Sequence, residues 1–140
     1  MHVLRQLHKA LRPGGLLVDI HPQPQDPRVE IVHPEGSVSV GAIDWTVDSR
    51  EIRDARKRLT EVVREGLFRL EKRRWFDLHM YHESVEAWLA HREERGQTSP
   101  IDDEVLRRAR RELRPGEGRL AVIERIRASV LRRLDPDHPG

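Results

Sequence analysis

Residues 11–20 join a helix to a strand within a few positions, and this junction constrains the fold more than any other segment. Four apolar residues recur with helical spacing: Val3, Leu4, Leu7 and Leu11. Pro13 cannot continue that helix, and Gly14 or Gly15 can take the positive φ that a left-handed helix end needs. Residues 16–20 form a nearly continuous apolar run, typical of a strand covered on both faces in a parallel sheet. The junction therefore predicts an α/β protein.

The segment Leu11-Arg12-Pro13-Gly14-Gly15 resembles the LRPGG turn of class I S-adenosylmethionine-dependent methyltransferases. In that family the turn leads from the fourth crossover helix into the fifth strand. The resemblance implies a partial Rossmann-like fold, the carboxyl-terminal half of the family's domain, with a small mixed sheet and flanking helices. It also implies that the last two strands pair as an antiparallel hairpin, with the last strand beside the fifth. The implied activity is methyl transfer from S-adenosylmethionine.

The cofactor-binding half of that family has no counterpart here. The family holds its cofactor through a glycine-rich turn after the first strand and an acidic residue ending the second. Only ten residues precede Leu11, and no GxGxxG-like sequence occurs. Because Pro13, Gly14 and Gly15 precede a strand, they are predicted to be a structural turn. No catalytic or cofactor-binding residue is assigned, and S-adenosylmethionine is expected only if a partner or upstream segment supplies the missing half.

Local patterns predict the remaining elements. Three prolines over residues 21–27 predict an extended loop, and residues 29–32 and 38–40 an inserted β-hairpin. Asp48 and Glu51 form a capping-box pattern at the start of a helix that runs to about Gly66. A half-buried strand over residues 73–82, two short helices and a last strand over residues 119–131 follow. Residues 1–134 are predicted to be a single domain and residues 135–140 a flexible tail.

Composition excludes several classes of function. The absence of cysteine excludes disulfides, thiolate zinc sites and a cysteine nucleophile. Charged residues make up 36% of the chain but the net charge is only +2, which indicates an ion-paired surface. There is neither a long apolar run nor a leader-like segment, so a cytoplasmic protein with no membrane partner is expected.

Asp19 and His21 are the candidate substrate-side residues, since they end the strand over residues 16–20. By resemblance this end faces the methyl acceptor, so His21 would be a general base or a substrate contact. The alternative is a polar strand end whose histidine bonds to the backbone. Asp77, His79 and Tyr81 share a strand face, but one carboxylate and one imidazole do not make a metal site, and none is expected.

Arginines concentrate in the helix near the carboxyl end, and tryptophan occurs at three positions. The arginines are Arg107, Arg108, Arg110, Arg111 and Arg114. Because acidic residues lie among them, an ion-paired outer face is favoured over a nucleic-acid site. The tryptophans, Trp45, Trp75 and Trp88, are predicted to be core or interface anchors rather than an acceptor pocket.

The sequence thus favours a methyltransferase-like protein reduced to the carboxyl-terminal half of the fold, which does not act as an enzyme alone. The alternative is a non-enzymatic homo-oligomeric binding or assembly module, with nucleic-acid association a less favoured third. The family's fourth strand is absent beside residues 16–20, so one backbone edge would face water or another chain. We therefore expect a homodimer, or a partner chain that completes the sheet.

Overall fold

The computed structural model describes residues 3–46 and 48–135, which form a mixed α/β structure with four helices and a five-stranded antiparallel sheet. The helices are α1 (Val3–Ala10), α2 (Arg50–Arg64), α3 (Val85–Glu94) and α4 (Asp103–Glu112). The strands are β1 (Leu16–Pro22), β2 (Arg28–His33), β3 (Gly36–Ala42), β4 (Phe68–His82) and β5 (Arg119–Arg133). Of the predicted tail, residues 136–140 lie outside the described residues.

The long strand β5 organises the sheet. It pairs with β2 over residues 119–123 and with β1 over residues 126–132, and it also pairs with β4. The predicted mixed sheet is wrong, because β5 runs antiparallel to its neighbours β1 and β2, and β2 runs antiparallel to β3. Because β5 pairs with β1 and also with β4, the last strand is an interior strand of the sheet.

The chain divides into two compact units. The first unit comprises Met1–Gln23, Glu51–Phe76 and Ile126–Gly140, and the second comprises Pro24–Arg50 and Asp77–Arg125. Strands β4 and β5 contribute residues to both units. The prediction of one domain over residues 1–134 stays a prediction.

The core of the first unit lies between helices and one face of β1 and β5. Its buried residues are Leu59, Val62, Phe68 and Leu131, with Leu4, Leu11 and Leu17 packed against them. The other face of β1 is uncovered: Leu16 is 51%, Val18 57% and Ile20 62% exposed. The prediction of a strand covered on both faces in a parallel sheet is therefore wrong. The apolar run forms a strand, but β1 pairs only with β5 among the described residues.

The Pro13-Gly14-Gly15 turn ties the end of α1 to the end of β5. Gly14 has a φ of +74°, where a side chain is disfavoured. At Gly15, an added Cβ would lie 2.8 Å from the carbonyl oxygen of Arg12. The Gly14 N–H donates to the Arg133 carbonyl over 3.2 Å, and the Arg133 N–H donates to the Gly15 carbonyl over 2.8 Å. The backbone N–H of Gly14 and the carbonyl of Gly15 are thus hydrogen-bonded to β5.

The second unit contains the β2–β3 hairpin, which confirms the hairpin predicted from the sequence. Helices α3 and α4 pack their apolar sides on this part of the sheet, and their buried residues include Trp88, Val105 and Ala109. Ser84 caps α3 and Asp102 caps α4, each accepting a backbone N–H with its side chain, as expected for these residue types. The strand predicted over residues 73–82 is present as part of β4. The prediction that it is half-buried is wrong, because most of β4 is exposed on both faces.

Candidate functional site

The register of β1 against β5 brings polar side chains together at the carboxyl end of β1. Asp19 lies opposite Ser129, and His21 lies opposite Arg127. Alternate residues of a strand share a face, so Asp19 and His21 project to the side of Leu17, which packs on the core of the first unit. We call the resulting set the β1 polar cluster: Asp19, His21, Gln23, Arg73, Arg127 and Ser129.

Asp19 and His21 form the centre of the β1 polar cluster. Asp19 Oδ2 lies 2.7 Å from His21 Nδ1, and their side chains are 25% and 13% exposed. The contact has an ion-pair distance but not the alignment of a hydrogen bond. Among the described residues, His21 Nε2 is buried without a hydrogen-bond partner, so the alternative of a histidine bonded to the backbone is not seen. A carboxylate beside one ring nitrogen leaves the other to accept or donate a proton.

Arg127 brings a buried positive charge to the same place. Arg127 is only 6% exposed, and its Nε has no hydrogen-bond partner among the described residues. Burial lowers the pKa of Arg127, and the positive charges of Arg73 and Arg56 lower it further. The charge of Asp19 acts in the opposite direction. Positive charge therefore exceeds negative charge around this side chain.

Two more residues complete the β1 polar cluster. Arg73, on β4, donates from Nε to the buried Ser129 hydroxyl over 3.0 Å. Gln23, which follows β1, is 6% exposed, and its Nε2 is also without a partner within residues 3–46 and 48–135. Sequence reasoning identified Asp19 and His21 but missed Gln23, Arg73 and Arg127, because nothing local in the sequence indicates which residues lie opposite β1.

A second polar cluster lies inside the second unit, around a cavity of about 20 Å³. Residues lining it include Trp45, Asp48, His82, Trp88, His91 and Glu124. The rings of His82 and His91 have centroids 5.2 Å apart. A volume of this size admits about one water molecule. The cavity is therefore too small for a substrate.

Burial shifts two groups of this cavity toward their neutral forms. It raises the pKa of the Glu124 carboxyl, against the opposing charge of Arg95. It also lowers the pKa of His82, and the neighbouring His91 lowers it further. Glu124 was not singled out from the sequence, although an acidic residue within the apolar run of the last strand is a signal of a buried carboxyl.

Asp48 does not cap α2, so the capping-box prediction is wrong. Its carboxylate instead accepts hydrogen bonds from the backbone N–H groups of Thr98 and Ser99 over 3.0 and 2.8 Å. Burial alone would raise the pKa of Asp48, but these hydrogen bonds hold it below its usual value. The residue thus fixes the segment between α3 and α4.

Asp77, His79 and Tyr81 lie along β4 in ion pairs and ring contacts. Asp77 pairs with Arg28 and Arg125, each over 3.3 Å. The His79 and Tyr81 rings stack with centroids 6.1 Å apart, and the Arg119 guanidinium lies 4.3 Å from the Tyr81 ring centre. Within the part of the chain that the structure describes, no group of three or more His, Asp or Glu residues is arranged to hold a metal ion.

Four of the five arginines of α4 and the segment after it contact acidic residues, whereas Arg108 donates to the Ser39 carbonyl over 3.4 Å. Arg107 contacts Glu104 over 2.7 Å, and Arg110 contacts Glu86 over 3.6 Å. This surface has the ion-paired character expected from the interleaved charges.

Among the described residues, no helix is both long and apolar enough to cross a membrane. Comparison of the chain with protein-family models, curated proteins and solved structures finds no match. The geometry of the chain itself is therefore the basis for any functional proposal.

Proposed function

We propose that this chain forms the carboxyl-terminal half of a methyltransferase-like, Rossmann-like fold and contributes its acceptor side. The observation that carries the proposal is the position of β5 in the sheet. The last strand lies between β1, which follows the Pro-Gly-Gly turn, and β4. This order supports the proposal because the resemblance implies a final strand inserted beside the one that follows this turn. A simple meander would leave the final strand at the edge.

The free edge of β1 is the second support. In the family's complete fold, the corresponding strand pairs with another strand on the side away from the last one. Here Leu16, Val18 and Ile20 are more than half exposed, and β5 is the only strand paired with β1 within the described residues. Apolar side chains beside an unpaired backbone edge favour the addition of a further strand.

The turn before β1 does not fit S-adenosylmethionine. The Gly14 N–H donates to Arg133 and the Gly15 N–H donates to Arg12, so neither is free to cradle a ligand. This turn therefore offers the cofactor no backbone N–H donor. The chain's own contribution is the β1 polar cluster, in which His21 Nε2 would exchange a proton with the acceptor while Asp19 orients and stabilises the imidazole.

Calorimetric titration with S-adenosylmethionine tests this division of roles. We expect no saturable heat with residues 1–140 alone, because these residues contain no glycine-rich turn after a strand. We expect one-site binding when the chain is produced together with the sequence encoded upstream of Met1, or with a separate chain that supplies the missing half. One-site binding by residues 1–140 alone would refute the division of roles. Absence of binding by the completed protein would refute the methyltransferase proposal.

A homo-oligomeric assembly module is the second candidate, and the exposed face of β1 favours it. We expect light scattering to give a dimer of the 16.4 kDa chain, formed through the free edge of β1. Val18→Lys should shift the protein to a monomer, because a lysine there blocks pairing of the edge. Val38→Lys is the matched control, since Val38 is 40% exposed on β3. A folded monomer at micromolar concentration, or equal effects of the two substitutions, would rule this dimer out.

A further inference from the structure

We propose that the β1 polar cluster binds an oxyanion, the carboxylate or phosphate group of a small molecule. The site rests on the geometry of the cluster alone, whereas its assignment to the methyl acceptor rests on the proposed function. Five polar atoms of the cluster are buried without a hydrogen-bond partner among the described residues. Asp19 Oδ2 and His21 Nδ1 face each other, and the other three are His21 Nε2, Gln23 Nε2 and Arg127 Nε.

Two of these atoms can only donate. The Arg127 Nε–H and the Gln23 amide NH₂ have no acceptor capacity, and both residues are 6% exposed. Donors removed from water without an acceptor are costly, and native proteins satisfy nearly all of them. The buried acceptor of the cluster, Asp19 Oδ2, is also without a hydrogen-bond partner, so neither donor bonds to it. A bound oxyanion would supply the acceptor that both donors lack.

His21 lies beside these two donors. Its Nε2, which is buried without a partner among the described residues, can hydrogen-bond to a ligand as a donor or as an acceptor. His21 and Arg127 are opposite each other across the β1–β5 pair, and Gln23 lies two positions beyond His21. The three side chains therefore come from one end of one strand pair.

The local charge selects an anion. Arg56 and Arg73 both act electrostatically on Arg127, and Asp19 is the acidic group that opposes them. Three guanidinium groups and one carboxylate give the cluster an excess of positive charge, which favours an oxyanion over a metal cation. Arginine is also the side chain whose donors best match carboxylate and phosphate oxygens.

The site also differs from the cavity in the second unit. There the buried ionisable groups shift toward neutral forms, and the space of about 20 Å³ is enclosed by Trp45, Trp88 and their neighbours. The β1 polar cluster, in contrast, holds two buried residues, Gln23 and Arg127, whose unpartnered N–H donors an anionic ligand can satisfy.

Calorimetry and thermal unfolding with inorganic phosphate and with acetate test the proposal, with sodium chloride as the control at equal ionic strength. We expect at least one oxyanion to bind saturably and raise the unfolding midpoint, while chloride does not. Binding of phosphate alone would assign a phosphorylated ligand, and binding of acetate alone a carboxylate ligand. Equal effects of all three salts, or none from either oxyanion, would overturn the site.

Substitutions locate the binding. Arg127→Met keeps the side-chain volume and removes the donor, so we expect binding about tenfold weaker or more, the effect of one charge-assisted hydrogen bond. Gln23→Leu, which leaves every charge in place, should also weaken it and guards against misfolding of the first variant. Arg125→Met is the matched control, because Arg125 is on the same strand but pairs with Asp77. Unchanged affinity in Arg127→Met and Gln23→Leu would overturn the proposal.

Failure of this site and failure of the proposed function are distinguishable. Oxyanion binding is measured on residues 1–140 without S-adenosylmethionine, whereas the proposed function is tested by titration of the completed protein. If the oxyanion binds and the completed protein does not bind S-adenosylmethionine, the site stands and the methyltransferase assignment falls.

Discussion

Trp88→Ala is expected to lower the free energy of unfolding by about 3–5 kcal/mol, the range for removing a fully buried large aromatic side chain. Trp88 is 2% exposed in the core of the second unit, among residues of the sheet and of α4. The loss combines the transfer free energy of the indole with the cavity that remains. Because a small domain is stable by only about 5–15 kcal/mol, much of the stability would be lost.

Trp75→Ala is the matched control for this substitution. Trp75 is 49% exposed on β4, so we expect its removal to cost less than about 1 kcal/mol. Urea unfolding followed by circular dichroism measures both variants without relying on tryptophan fluorescence. Similar losses in the two variants would show that Trp88 is not the core anchor that its burial indicates.

Asp48→Ala is expected to destabilise the protein by about 1.5–3 kcal/mol, the range for hydrogen bonds to a charged group. The carboxylate accepts from the Ser99 N–H over 2.8 Å and from the Thr98 N–H over 3.0 Å, and the Thr98 hydroxyl donates over 3.2 Å. Ser99 is 2% exposed, so its N–H would lose a partner in a buried place. Asp44→Ala is the control, since the Asp44 carboxylate accepts from Thr46, two residues along the chain.

The effect of Asp48→Ala should depend on pH in a defined direction. The pKa of Asp48 is lower in the folded protein than its usual value of 3.8. The unfolded chain therefore binds the proton more readily, and the stability from Asp48 is present above pH 3.8 and lost as the pH falls through the lower folded pKa. Urea unfolding of wild type and variant should give a larger difference at neutral pH than near pH 3. A difference that grows on acidification would contradict the role of the ionised carboxylate.

Local patterns were sufficient to predict most elements of the fold. Helical spacing predicted two short helices between the strand over residues 73–82 and the last strand. The structure has α3 and α4 there, with Ser84 and Asp102 as their side-chain caps. Alternation and turn residues identified the β2–β3 hairpin. These signals are readable because each depends on residues within a few positions of one another.

The candidate site could be predicted only in part. Asp19 and His21 lie two positions apart on one strand, so the period of a strand places them on the same face. Arg127 and Arg73 reach the same place only through the pairing of β5 with β1 and β4. No local pattern specifies that pairing, because strand register depends on packing between distant segments.

The sequence by itself determined the class of each segment, the helix-to-strand turn at Pro13-Gly14-Gly15, and a surface of interleaved charges. The resemblance implied a last strand beside β1, and the missing fourth strand implied a free edge. Tertiary structure alone decided the register of β1 against β5, the exposure of one face of β1, and the burial of Arg127 and Gln23 beside His21. An apolar run indicates that a segment is stabilised by burial, but it does not indicate how many strands or helices pack against it. Burial and hydrogen-bond satisfaction depend on every segment that packs at one place, so only the assembled fold determines them.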